Sequence, residues 1–382
     1  MTSQPRAPIR SRPVPACPLW GGPGVPLHGG LRDRFAPGPE EWALRRCADP
    51  GCALLWLDPM PLEEDIGHAY HEDYYTHQDA DPALTWYRRG YRWLKQGYLA
   101  WRYGYGLEST PPWQRLLGLS ICLHPRRRAD VDVSVMHLPF RRGGRLLEVG
   151  CGGGSILKVL HDLGWEVEGV DFDPGAVANA RSKGLTVHLG RLEALRFDEG
   201  RFDAIVMSHV IEHVHDPRGL LRECRRILGP EGTLVILTPN AESLAHRLFQ
   251  ASAFHLDPPR HLHVFNPRNL RKLVEEAGLL VSRLKTRSRG ARDIWAFSRE
   301  IREKGRATPS RPRTVAARVG GLLFETAEVG LLVARPEAGE EILLMARNGP
   351  AAGPGRSSPA YRSGPAASGP ANSPAPASAA EK

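Results

Sequence analysis

The chain is poor in lysine: seven of its 51 basic residues are lysine and the rest are arginine. With abundant proline, glycine and alanine, that skew reflects coding bias as much as function, so the net charge of +9 does not by itself identify a nucleic-acid partner. No basic block is longer than Arg126–Arg128, and no aromatic RNA-binding signature stands beside it, which argues against nucleic acid. No charge-free apolar run reaches the ~18 residues that cross a bilayer, and the first residues lack the apolar run of a secretory signal. The expected location is therefore cytoplasmic. There, the cysteines at 17, 47, 52, 122, 151 and 224 stay reduced and form no disulfides. Residues 1–15 (Pro and Arg) and 349–382 (Ala, Pro, Gly and Ser) lack the apolar content to offset the entropy of ordering, and both are expected to be disordered. What remains of the 382 residues, with 41% hydrophobic content overall, suffices for one main domain and smaller units.

The most informative stretch is Leu146-Leu-Glu-Val-Gly-Cys-Gly-Gly-Gly154, a short buried strand running into a glycine turn. Gly150, Gly152 and Gly154 let backbone approach a ligand closely, the mark of a nucleotide-like cofactor. About 20 residues on, the strand-like run Trp165–Asp171 ends in an acid whose two oxygens can accept from two vicinal ribose hydroxyls. Dinucleotide dehydrogenases share this plan, but their third glycine would fall at Ser155. Glu148, a carboxylate at the turn, suits an ammonium or a network around it better than a pyrophosphate.

Strands expected at 146–150, 166–171, 185–189, 203–208, 232–238 and 279–285 alternate with helices at 154–163, 174–183, 217–228 and 267–277. A last, antiparallel strand falls at Glu341–Ala346, after an insertion that starts near 288. This alternation means an α/β fold, a doubly wound, Rossmann-like, mostly parallel seven-stranded sheet with ligands at the carboxyl ends of its strands.

Two further blocks follow the turn and Asp171: Phe202–Pro217, with Ser208-His209 and Glu212-His213, and Gly229-Pro-Glu-Gly-Thr ahead of a strand. Over roughly 143–287 these blocks, in this order, resemble the class I S-adenosylmethionine-dependent methyltransferases. The Glu-His-Val-x-Asp-Pro run is most similar to the ubiquinone-type O-methyltransferases and the broad bacterial group around them. The resemblance implies S-adenosylmethionine as cofactor. The methionine portion would meet the turn at Gly150, Cys151, Gly152 and Gly154, beside Glu148, and the ribose would meet Asp171. Phe172 and the Arg191-Leu192-Glu193 turn would flank the adenine, and Ser208 and His209 would border the methyl end.

Many members of that group begin with a zinc-ribbon knuckle. Here Trp20 stands where the second cysteine is expected, leaving Cys17, Cys47 and Cys52; His28 could complete a Cys3His set, but the favoured reading is a metal-free relic packed around Trp20 and Trp56. Inserted helices before the first core strand commonly form a lid, for which Tyr74, Tyr75 and His77 are candidates. The implied organisation is a disordered 1–15, a degenerate zinc-ribbon-like segment at 16–60, an N-terminal helical aromatic cap at 61–142, a cofactor-binding core at 143–287, a helical insertion with the last strand at 288–348, and a disordered tail.

Transfer to a hydroxyl needs a proton acceptor, and histidine is the neutral-pH base. His213 is one candidate; its His-x-x-Glu-His context imitates a zinc peptidase but lies at a strand-to-helix joint. His261 and His263, on the Asp257–Phe265 loop, are the others, with Arg260 placed to engage an anionic group. In the insertion, 315–334 is mostly apolar with Arg318, Glu325 and Glu328 on one narrow face, and it reads as a packed helix, a peripheral membrane helix or a dimer contact. The function expected is methyl transfer to an oxygen or carbon of a small-molecule, lipid or glycan-linked acceptor. The rival is a non-catalytic binding or scaffolding protein of the same fold.

Overall fold

A computed structural model describes residues 8–35, 38–70, 86–308 and 314–349; Tyr74, Tyr75, His77 and the tail lie outside these. The centre is a seven-stranded sheet in the order β12-β13-β10-β9-β6-β7-β8, formed by β6 (Arg145–Val149), β7 (Glu166–Asp171), β8 (Thr186–Leu189), β9 (Phe202–Ser208), β10 (Leu228–Pro239), β12 (Leu279–Arg287) and β13 (Glu341–Asn348). From β8 to β10 every pairing is parallel, whereas β13 runs antiparallel between β10 and β12. The middles of the central strands are apolar on both faces because helices cover both: Leu146, Leu147, Ile205, Val206, Leu234 and Ile236 are all fully buried.

Helices α4 (Ser155–Asp162), α5 (Pro174–Ser182), α6 (Pro217–Ile227), α7 (Leu244–Phe249) and α8 (Pro267–Glu276) fill the connections. Their starts are written locally. Asp173 accepts from Gly175 and Ala176 N–H, Asp216 from Gly219 N–H, and Asn266 and Asn269 form a reciprocal capping box, each ahead of a proline in the first turn.

The amino-terminal segment is an antiparallel sheet of β2 (Gly24–Leu31), β3 (Trp42–Cys47) and β4 (Leu55–Leu57), to which the main domain adds β11 (His263–Val264). Residues 8–15 are not disordered as expected: Ile9 is buried, Arg10 forks onto Asp65, and β1 (Ser11–Arg12) pairs with β5 (Met60–Pro61). Asn266 and Asn269 both donate to the Cys52 carbonyl, and the Leu57 N–H donates to Leu262 O. The segment is thus bolted across the carboxyl ends of the parallel strands.

The cap is helical as expected, with α1 (Trp86–Tyr103), α2 (Pro112–Gly118) and α3 (Pro125–Ser134). A Cβ at Gly97 would sit 2.2 Å from Gln114 O, so glycine there lets α1 and α2 touch backbone to backbone. The insertion holds two helices, α9 (Ala291–Lys304) and α10 (Val315–Ala334), where a single helix was expected. Among the described residues no helix is long and apolar enough to cross a membrane.

Candidate active site

Gly150, Gly152 and Gly154 all have left-handed φ values, 66°, 52° and 77°, which turn the chain sharply from β6 into α4. A Cβ at Gly150 would lie 2.5 Å from Val210 Cγ2 and one at Gly154 2.6 Å from Leu185 Cδ1, but one at Gly152 would meet nothing within 4 Å. The turn is therefore closed by protein at its ends and open in the middle. Asp171 faces this opening; its Oδ2 accepts from Gly152 N–H at 2.8 Å and its Oδ1 from Asp173 N–H at 2.9 Å. Glu148 is buried behind the turn with no hydrogen-bond partner for Oε2, and burial, helped by the nearby Asp171 charge, lifts its pKa to about 8. A ligand with an ammonium and a vicinal diol would supply the missing partner and use the acceptors, so these residues fit S-adenosylmethionine. Cys151 contributes backbone alone, since its side chain is packed beneath Gly169.

Phe172 stands 49% exposed beside Asp171 and meets the Tyr70 ring edge-on at 5.5 Å. The Leu192 side chain, placed by sequence beside the adenine, is instead buried in the core against the sheet. Ser208 ends β9, and His209 follows with a φ of 56°. Its ring is held between Glu212, with Nδ1 3.3 Å from Oε1, and Glu341, with Nε2 3.1 Å from Oε1. Burial opposes the charge, but the two carboxylates outweigh it and raise the His209 pKa to about 10.

The structure brings His213 and His261 together, with ring centroids 4.7 Å apart. Nδ1 of His213 lies 3.0 Å from Arg260 O and that of His261 2.7 Å from His255 O. A carbonyl only accepts, so each Nδ1 carries a proton. Burial, with His261 adjacent, drops the His213 pKa to about 4 and keeps that ring neutral. Glu212 completes the group, with donor atoms of all three residues within 4.8 Å of one another, close enough to share a cation.

His263 is not part of this cluster. It lies in β11, fully buried, stacked at a tilt on Phe265, and burial drops its pKa to about 3. Arg260 is not available to an anionic ligand either. All five of its N–H donors are used within the fold, on Asp33, Asp257 and the Ala69 carbonyl. Its guanidinium holds the histidine loop to the amino-terminal segment from a fully buried position.

Residues 124–283, which contain the glycine turn, Asp171, the His209–His213 bend and the histidine loop, match the family model described as a methyltransferase domain. This stretch is a class I S-adenosylmethionine-dependent methyltransferase domain. The ubiquinone biosynthesis O-methyltransferase of Cereibacter sphaeroides is 36% identical over 162 residues, covering 39% of this chain and 65% of that protein. The enzyme of the same name from Xanthomonas oryzae pv. oryzae is 35% identical over 121 residues, covering 30% of this chain and 51% of its own length. The chain thus spans less than two thirds of the curated relatives it matches. Among solved structures, the complex of the Haloferax volcanii Trm112 methyltransferase activator with a putative methyltransferase covers 65% of this chain and 98% of that chain, at 18% identity and a TM-score of 0.42.

Outside the methyltransferase domain, Cys17, Cys47 and Cys52 are buried with their sulfurs within 4.8 Å of one another. The Cys52 thiol hydrogen-bonds Cys17 and, against burial, lowers the Cys17 pKa to about 6. His28 does not join them; its Nε2 lies 3.1 Å from His246 Nε2. The Trp20 indole N–H donates to Glu276 under the Lys272 ammonium. Tyr70, Glu341 and Asp33 were not foreseen as site residues. No sequence motif marks them, because their roles depend on partners more than 100 residues away.

Proposed function

We propose that the protein moves a methyl group from S-adenosylmethionine to an oxygen of a small-molecule acceptor. The observation that carries this is the ring series Phe172, Tyr70, His213 and His261. It runs from beside the acid that would bind the ribose to the paired imidazoles of His213 and His261, and the neutral His213 ring has an Nε2 that can take a proton. A hydroxyl acceptor has a proton to lose and a scaffold reading leaves this pair without work; a carbon acceptor would also shed a proton, and it is the O-methyltransferase names of the relatives that favour oxygen.

When bound, the cofactor supplies an activated methyl on a sulfonium. In this reading Glu148 and the turn backbone hold its methionine end, Asp171 its ribose, and Phe172 the edge of its base. Tyr70 and the amino-terminal segment exclude water, which strengthens local electrostatics. His213 accepts the acceptor's proton at Nε2, with Glu212 beside it to stabilise the resulting cation, and Arg260 O fixes the tautomer. Lipid-linked and glycan-linked oxygens fall within the same reading.

The test is incubation with methyl-labelled cofactor and cell extract, followed by mass spectrometry of labelled products. Label on an oxygen is expected. Label on carbon or nitrogen overturns the acceptor, and a failure to bind the cofactor in calorimetry overturns the reading altogether.

A further inference from the structure

Helix α10 is inverted relative to an ordinary surface helix. Its charged face points inward: Glu325 pairs with Arg292 of α9, and Glu328 is fully buried, accepting from the Glu340 N–H at 2.9 Å. Gly321 and Phe324 pack on the same side, and Gly320 lies against the Trp295 ring. The outward face carries Val315, Val319, Leu322, Leu323, Val329 and Val333, exposed by 41% at Val329 to 87% at Val333. Its other exposed positions are alanine, glycine, threonine and one cation, Arg318, and none is acidic. An outward apolar stripe five turns long is a docking surface.

Charge says what it docks on. Among the described residues, Arg306 precedes the helix, Arg318 lies on it and Arg335 follows it. A second copy would set the same cations against each other across a twofold axis, with no carboxylate on the face to pair them. An anionic bilayer satisfies both features at once, taking the valines and leucines into its interface and the arginines among its phosphates. A lesser patch of the same character lies on the cap, where Trp113, Leu116, Leu117 and Leu123 are each more than half exposed. Arg126 reaches Asp293 at 3.7 Å, so α3 of that cap adjoins the start of α9.

We propose that α10 is a peripheral docking element that lies flat on an anionic lipid surface with its Val/Leu face immersed. The proposal stands on this surface and does not depend on methyl transfer, so it can fail or succeed separately from the function above.

The test is flotation of the full chain with vesicles of phosphatidylcholine alone or with 30% phosphatidylglycerol. The protein should float with the anionic vesicles at least tenfold better than with the neutral ones, and less as salt rises from 50 to 500 mM. Leu323→Glu with Val319→Glu should abolish flotation while leaving calorimetric cofactor binding unchanged. Arg306→Glu with Arg335→Glu should remove only the preference for anionic lipid. No flotation at low salt overturns the proposal, as does a dimer mass by light scattering that the leucine and valine changes convert to monomer without any vesicle binding.

Discussion

The Tyr70 hydroxyl lies 3.0 Å from Nδ1 of His213, joining the amino-terminal part of the chain to the methyltransferase domain on the side of the ring opposite the Nε2 that would take up a proton. Tyr70→Phe keeps the edge contact with Phe172 and loses the polar one. It is expected to lower kcat about threefold to tenfold with cofactor affinity unchanged, whereas His213→Ala should lower kcat by about a hundredfold or more. Steady-state kinetics with both substrates varied checks both.

Asp171 is expected to dominate ribose recognition. Asp171→Ala removes two acceptors and unties Gly152 and Asp173, so cofactor affinity should fall by about 100-fold, the equivalent of about 3 kcal/mol. Asp171→Asn should lose less. Titration calorimetry measures the difference.

The glycine turn permits a cleaner separation. Gly152→Ala has free space in the folded chain and costs only the strain of a left-handed backbone, about 1 kcal/mol, yet its methyl enters the ligand space. It should abolish cofactor binding with a small change in Tm. Gly150→Ala should instead lower Tm by several degrees, because its methyl collides with Val210.

Glu148 yields a pH dependence of definite sign. Its carboxyl titrates at about 8 in the fold against 4.5 in the unfolded chain, so between those values the folded state keeps a proton that the unfolded state has released. Stability therefore falls as pH rises through that window. Glu328, lifted to about 9, and Glu340, lifted to about 7, both chiefly by burial, act in the same direction. Glu148→Gln should flatten part of the decline in Tm between pH 5 and 8. If a cofactor ammonium meets the ionised carboxylate, affinity should also rise by up to about tenfold per pH unit below pH 8, and this slope should vanish in the variant.

Arg260→Met leaves Asp33 and Asp257 buried without their cation and should cost about 3–5 kcal/mol, read from urea unfolding. Adding Asp33→Leu and Asp257→Leu should recover most of that loss. His263→Phe, by contrast, replaces a neutral buried ring with an apolar one and should leave both stability and activity nearly unchanged.

The sheet was legible because its strands are apolar on both faces and its helix starts carry local signals. Asp173-Pro174 and Asn266-Pro267 mark the starts of α5 and α8 without reference to anything distant. The glycine turn and the acid after it were legible for the same reason, since Glu148, the three glycines and Asp171 fall on β6, the turn that follows it and the end of β7. What escaped depends on long-range partners. Arg260 reads as a free cation until Asp33, 227 residues away, is placed against it. His261 and His263 look equivalent on a loop, but β11 begins at His263 because Val264 and His263 pair with Leu55 and Trp56, and that pairing buries one ring and leaves the other beside His213.

The position of β13 has a consequence for how the molecule comes into being. Residues 341–348 fill the gap between β10 and β12, so during synthesis those two strands emerge more than 50 residues ahead of the one that joins them. Until then both present bare hydrogen-bonding edges. A nascent chain stalled or clipped before residue 341 would be a seeding template for aggregation, and the growing polypeptide has reason to meet a chaperone at that stage.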